Sequence, residues 1–118
     1  MNEALKILGY KFIDEMFVDS EGVSYDSLTG MICGGLFGFC GCGDNDYEMK
    51  KFREVLLALQ QRVCLDFEYQ IYLYLLDNHE FTEHGFSVFG SWLTEKGEAL
   101  LFLLNKWEDE RVEDTILP

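Results

Sequence analysis

The sequence predicts a small, mostly helical α+β domain with a short β-hairpin or arm and one glycine- and cysteine-rich loop. Two segments, 46–63 and 95–107, place apolar residues three and four positions apart, which is typical of amphipathic helices. A third segment, 18–43, holds seven glycines without a sustained period, which is typical of a loop. With 118 residues, we expect one domain over 1–118.

The first predicted helix spans 3–17, although Gly9 weakens it. Its apolar residues would share one face: Leu5, Leu8, Phe12, Ile13, Met16 and Phe17. The loop that follows, about 18–43, contains at most a short helical turn at 27–32. A loop of this length in a small domain is usually functional or held by something other than packing.

The helix predicted over 46–63 begins at a capping sequence, Asp44-Asn45-Asp46. Asp66 can cap a third helix, whose inward face we expect to hold four residues: Phe67, Ile71, Tyr74 and Leu75. The alternation in FEYQIYLYL also permits a strand at this point.

Aromatic and β-branched residues between Gly85 and Gly90 predict a short β-hairpin or extended arm over 84–93. Thr94 can cap the final helix, whose inward face would hold Leu100, Leu103, Leu104 and Trp107. The acidic tail, 108–118, has five acids in positions 108–114, and we expect it to fray.

Charge narrows the possible functions. The chain has 22 acidic and 9 basic residues, a formal net charge of −13. This charge argues against direct binding of nucleic acid, which needs a basic surface, and against anionic membranes. The longest apolar run, 99–104, is too short to span a membrane. The N-terminus lacks the pattern of a signal peptide. We therefore expect a soluble, cytoplasmic protein.

Cysteine spacing points to a structural metal. Cys33, Cys40 and Cys42 lie within ten residues, and Gly41 and Gly43 would let the backbone turn between thiolates. Zinc prefers four ligands from Cys and His, and His84 is the better candidate for the fourth. Three other residues remain alternatives for that position: His79, Glu83 and Cys64. The competing interpretation is that the cysteines are small core residues.

No catalytic arrangement stands out. A nucleophile formed by Cys40 or Cys42 with His84 is conceivable, but nothing in the spacing requires it. Four metal ligands would leave no open position for a substrate, so we expect a structural zinc and no enzyme activity.

Residues 93–101, LTEKGEALL, resemble the end of a wing and the following helix in winged-helix regulators. The alternative function is therefore a winged-helix-like regulatory or protein-interaction module with a structural metal.

Acidic residues can also engage a basic groove on a partner protein, especially one that holds nucleic acid. The candidate partner-binding residues are Glu48, Asp66, Glu68, Asp77 and Glu80.

Two segments carry a resemblance to a known group: FGFCGCG (37–43) and TEHGFSVFGSWLTEKG (82–97). With them, this short acidic chain resembles the metal-containing type II-A anti-CRISPR proteins, which phages and prophages encode to inhibit Cas9. The resemblance implies a non-enzymatic inhibitor that binds Cas9 and obstructs target-DNA loading in an infected or lysogenic bacterial host. It also implies a metal held by the cysteines and His84.

Overall fold

The computed structural model describes residues 1–39, 45–63, 66–85 and 91–116, and it describes side chains as far as residue 111. This part of the chain contains four α-helices and two small antiparallel sheets. The helices are α1 (Asn2–Ile7), α2 (Asp46–Gln61), α3 (Gln70–Asn78) and α4 (Glu95–Ile116). One sheet contains β1 (Tyr10–Ile13), β2 (Met16–Asp19) and β3 (Ser24–Tyr25), and the other contains β4 (Thr82–Glu83) and β5 (Trp92–Leu93). The predicted mostly helical α+β class is confirmed at this level.

Helix α4 forms the centre of the core, because it packs against both α1 and α2. The inward face predicted for it is confirmed, since all four of its residues are buried: Leu100, Leu103, Leu104 and Trp107. From α2, the fully buried side chains are Met49, Phe52, Val55 and Leu56. These apolar contacts supply most of the favourable free energy of folding.

The N-terminal helix predicted over 3–17 is wrong beyond Ile7. Gly9 has a φ of 85°, a left-handed conformation that ends the helix. The chain then forms a hairpin in which Tyr10 pairs with Asp19 and Ile13 pairs with Met16. Its two turn residues, at 14 and 15, both have positive φ values, as the favoured two-residue hairpin turn requires.

The segment predicted as a long loop is more regular than expected over its described part, 18–39. Phe17 of β2 pairs with Tyr25 of β3. A π-helical segment, Gly30–Leu36, follows. At its end, the N–H of Phe37 donates to the carbonyl oxygen of Ile32, five residues earlier, at 3.2 Å. Such π-helical turns are rare and frequently occur at functional sites.

The predicted helices over 46–63 and after Asp66 are confirmed as α2 and α3. A 3₁₀ turn, Phe67–Tyr69, precedes α3. The inward face predicted for α3 is wrong: Phe67, Ile71 and Tyr74 are exposed and Leu75 is only half-buried, whereas Leu73 and Leu76 are buried.

The predicted hairpin over 84–93 is confirmed only at its base, where Thr82 pairs with Leu93 and Glu83 with Trp92. Residues 86–90 lie outside the described residues. Thr94 caps α4 as predicted, because its Oγ1 accepts the N–H of Gly97 at 3.1 Å. The tail predicted to fray is helical as far as Ile116.

Candidate metal site and partner-binding surface

Cys33, the first predicted metal ligand, is fully buried in the π-helical segment. Its carbonyl oxygen accepts a hydrogen bond from the N–H of Phe39 at 2.8 Å. Its Sγ lies 4.0 Å from the carbonyl oxygen of Asn45. Phe39 and Asn45 border a stretch outside the described residues, and the predicted ligands Cys40 and Cys42 fall in that stretch. Cys33 thus contacts Phe39 and Asn45, the two residues that border the stretch with Cys40 and Cys42.

The surroundings of Cys33 favour its neutral form when no metal is bound. Burial, with smaller contributions from the carboxylates of Glu48 and Asp46, raises the pKa of the thiol to about 11. Within the described part of the chain, the Oε2 atom of Glu48 is buried without a hydrogen-bond partner. An unsatisfied buried acceptor is unfavourable, and a cation would satisfy it. Thiolate and carboxylate are both ligands of zinc, so these donors fit the predicted metal.

His84, the predicted fourth ligand, is held by a carboxylate. Its Nδ1 lies 3.0 Å from Oδ1 of Asp77, and the hydroxyl of Thr82 donates to the same oxygen at 3.2 Å. When Nδ1 carries the proton, Nε2 is the ring nitrogen whose lone pair can bind a metal ion. Metal-binding histidines in proteins commonly donate their other nitrogen to a carboxylate in this way. The Asp77 contact therefore leaves Nε2 of His84 available to a metal ion.

His79, an alternative ligand, contacts the end of the π-helical region. Its ring meets that of Phe37 edge-on at 5.1 Å between centroids, and Phe37 stacks on Phe52 at 4.3 Å. Across residues 1–39, 45–63, 66–85 and 91–111, no three Cys, His, Asp or Glu side chains come close enough to hold a metal ion together. The alternative ligand Cys64 lies outside these ranges, as do two of the four predicted ligands.

An open cleft of about 630 Å³ adjoins His84. It presents carboxylates, one imidazole and the ammonium of Lys96. The two threonine hydroxyls that line it already donate within the fold: Thr82 to Asp77, and Thr94 to the carbonyl oxygen of Glu80 at 2.7 Å. The cleft therefore offers charged side chains to a ligand, whereas its two threonine hydroxyls already donate hydrogen bonds within the fold.

The five predicted partner-binding carboxylates have different environments. Asp66, Glu68 and Glu80 are exposed. Glu48 is partly buried, and Asp77 holds His84 and Thr82. Only the first three are presented freely enough to meet a partner without rearrangement.

The outer face of α3 is a feature that the sequence interpretation missed. Phe67, Ile71 and Tyr74 are 83%, 64% and 49% exposed. Nearly every residue of FEYQIYLYLL is apolar or aromatic, so the spacing alone gives no reliable signal of which face points outwards.

Neither the known protein families nor the curated proteins or solved structures provide a match to this chain. Among the helices in the described ranges, none has the length and apolar character needed to span a membrane.

Proposed function

We propose that the protein is a non-enzymatic anti-CRISPR inhibitor, encoded by a phage or prophage, that binds Cas9 and blocks target-DNA loading in the bacterial cytoplasm. The observation that supports this proposal is the distribution of charge. Between Val63 and Glu95 the sequence has six acidic residues and no lysine or arginine. Five of the six are exposed: Asp66, Glu68, Glu80, Glu83 and Glu95. The stretch itself is therefore strongly acidic, and the lysines nearest to it come from the neighbouring helices: Lys51 contacts Tyr69 and Lys96 contacts the carbonyl oxygen of His79.

The proposed mechanism is competition for a basic channel. Cas9 holds its guide–target duplex in a positively charged channel and reads a short duplex motif before the strands separate. An acidic protein is attracted to the same positive charge, because electrostatic complementarity accelerates association and favours one orientation. Occupation of that channel would exclude DNA without any covalent chemistry.

The proposed zinc would stabilise the inhibitor. Cys33, Cys40 and Cys42 would hold it together with His84, and His79, Glu83 or Cys64 is the alternative fourth ligand. When bound, the ion would cross-link the glycine-rich segment to the rest of the domain. Glu48 supports a cation in this part of the domain, because its Oε2 is buried without a hydrogen-bond partner among the described residues and its charge raises the pKa of Cys33.

A cleavage assay with two orders of addition tests the function. Inhibitor that is mixed with guide-loaded Cas9 before target DNA should prevent cleavage. The same amount added after DNA should have little effect, because the channel is already filled. Inhibition should weaken as salt is raised, since screening shortens the range of the attraction. Full cleavage in both orders, with several type II-A Cas9 proteins, contradicts the proposal.

Metal analysis tests the zinc separately. Protein purified without added zinc should contain about one ion per chain, and Cys40→Ser or Cys42→Ser should lose it and unfold at a lower temperature. Comparing His84→Ala, His79→Ala, Glu83→Gln and Cys64→Ser identifies the fourth ligand, since only loss of the true ligand lowers the metal content. Metal-free protein of equal stability contradicts the zinc site and leaves the Cas9 test unaffected.

A further inference from the structure

Three exposed apolar side chains lie on α3 and on the 3₁₀ turn that precedes it. Phe67, Ile71 and Tyr74, which we call the α3 ridge, follow one another at spacings of four and three, so they share one side of the helical segment. Single exposed apolar residues are ordinary on protein surfaces, but contiguous apolar patches mark interaction sites. Phe67, with 83% of its surface exposed, is the most exposed member of the ridge.

Contacts with the rest of the domain hold the ridge in place. Leu73 and Leu76, on the opposite side of α3, are buried in the core. The turn that carries Phe67 is fixed by Tyr69, whose hydroxyl donates to Glu54 at 2.7 Å and accepts from Lys51 at 3.2 Å. A partner would therefore meet a surface that is already ordered, and little conformational entropy would be lost on binding.

The charged residues near the ridge indicate which kind of partner it would bind. The exposed carboxylates of Asp66 and Glu68 flank Phe67 on both sides in sequence. Lys51, which contacts the turn, is paired with Glu54 at 3.7 Å and has only 16% of its side chain exposed. The Phe67 end of the ridge is thus bordered by acidic residues in the sequence. A second copy of the chain would place like charges against one another, and an anionic membrane would be repelled.

We propose that the α3 ridge is the anchor through which this protein binds a positively charged protein surface. The apolar side chains would enter an apolar depression on the partner, and Asp66 and Glu68 would pair with lysine or arginine around it. Buried aromatic anchors with a polar rim have the anatomy of a binding hot spot. The inference rests on the proposed function, because it identifies the surface that would contact Cas9.

A double variant, Phe67→Ser with Ile71→Ser, tests the ridge. Its Kd for guide-loaded Cas9 should rise at least about thirtyfold, as expected for hot-spot residues. Its unfolding temperature should not fall, because both side chains are exposed. Phe102→Ser is the matched control: Phe102 is 51% exposed on α4, and its loss should leave Kd within about twofold. Equal binding by the double variant and wild type overturns the proposal.

A second measurement separates this inference from the Cas9 proposal. If wild-type protein does not bind Cas9, the proposed function fails, and the ridge is tested with a synthetic amphipathic helix of leucine and lysine. In an amide-resolved NMR titration, the largest shift changes should fall on 66–77, and the double variant should abolish them. Changes centred on Phe102 or on the acidic tail, or no changes, overturn the proposal. Sedimentation that reveals a dimer dependent on Phe67 overturns it as well, because the occupant is then a second copy.

Discussion

At the scale of single residues, the close approach between α4 and the chain at Phe81 depends on one glycine. Gly97 is buried, and a methyl group there would overlap the carbonyl oxygen of Phe81. Alanine favours a helix by about 1 kcal/mol over glycine, but overlap with backbone in a packed region costs more.

Gly97→Ala should therefore lower the free energy of unfolding by at least about 2 kcal/mol, measured by urea denaturation. Gly85→Ala is the control, because a methyl group at that position meets open space. If both variants are as stable as wild type, the close approach to Phe81 does not exist in solution.

Tyr10 gives the protein a specific dependence on alkaline pH. Burial raises the pKa of its hydroxyl to about 12, with smaller contributions from Tyr25 and Asp19. In the unfolded chain a tyrosine ionises near pH 10. Between these two values the unfolded state releases the proton while the folded state keeps it, so stability falls as pH rises.

Tyr10→Phe removes this ionisation. Its free energy of unfolding should fall less steeply than that of wild type between about pH 9 and 12, and denaturant titrations at several pH values measure the difference. Parallel curves for the two proteins would show that Tyr10 titrates normally in the folded state.

At the scale of secondary-structure elements, Thr94 joins α4 to the segment that follows α3. Its hydroxyl accepts the Gly97 N–H at 3.1 Å and donates to the Glu80 carbonyl oxygen at 2.7 Å. Thr94→Ala loses both bonds and should destabilise the protein by about 1–2 kcal/mol. Thr94→Ser keeps the hydroxyl and should recover most of this loss in thermal unfolding. Equal losses in both variants would assign the effect to the methyl group instead of the cap.

Elements with a single apolar face were predictable from the sequence. In α2 and α4 the helical spacing, the Thr94 cap and the four-residue inward face of α4 all agree, and the structure confirms them. Local propensity and tertiary packing favour the same conformation there.

The N-terminal region and α3 were not predictable in the same way. Over 3–17 the apolar spacing favours a helix, but Gly9 and the hairpin turn decide the local backbone. In α3 both faces are apolar, so packing of Leu73 and Leu76 decides which side is buried. Periodicity cannot rank two apolar faces, and tertiary contacts override it.

For the candidate site, the sequence supplies the residue types of the predicted ligands, and the structure supplies the environments of Cys33 and His84. The cysteine cluster identifies a possible metal site from spacing alone. The π-helical backbone of Cys33, the effect of the Glu48 carboxylate on the pKa of its thiol and the Asp77 contact of His84 are seen only in the folded structure. No local pattern in the sequence encodes those contacts.

At the scale of the whole molecule, the helices that pack together and the most acidic stretch of the sequence are different parts of the chain. Helices α1, α2 and α4 form a packed frame and carry most of the basic residues, while the stretch from Val63 to Glu95 has only acidic charges. Both this stretch and the chain as a whole carry an excess of negative charge. Such an excess favours encounter with a basic partner and disfavours the folded state through self-repulsion.

Moderate salt should therefore stabilise the isolated protein. The net charge of −13 is screened as the Debye length falls from about 30 Å at 0.01 M to about 8 Å at 0.15 M salt. The unfolding temperature should rise over this range and then level off, since exposed charges are by then largely screened. Titrations with sodium chloride and tetramethylammonium chloride should coincide, because screening depends on ionic strength and not on the identity of the cation. An unfolding temperature that does not change with salt would show that repulsion between the acidic side chains contributes little to stability.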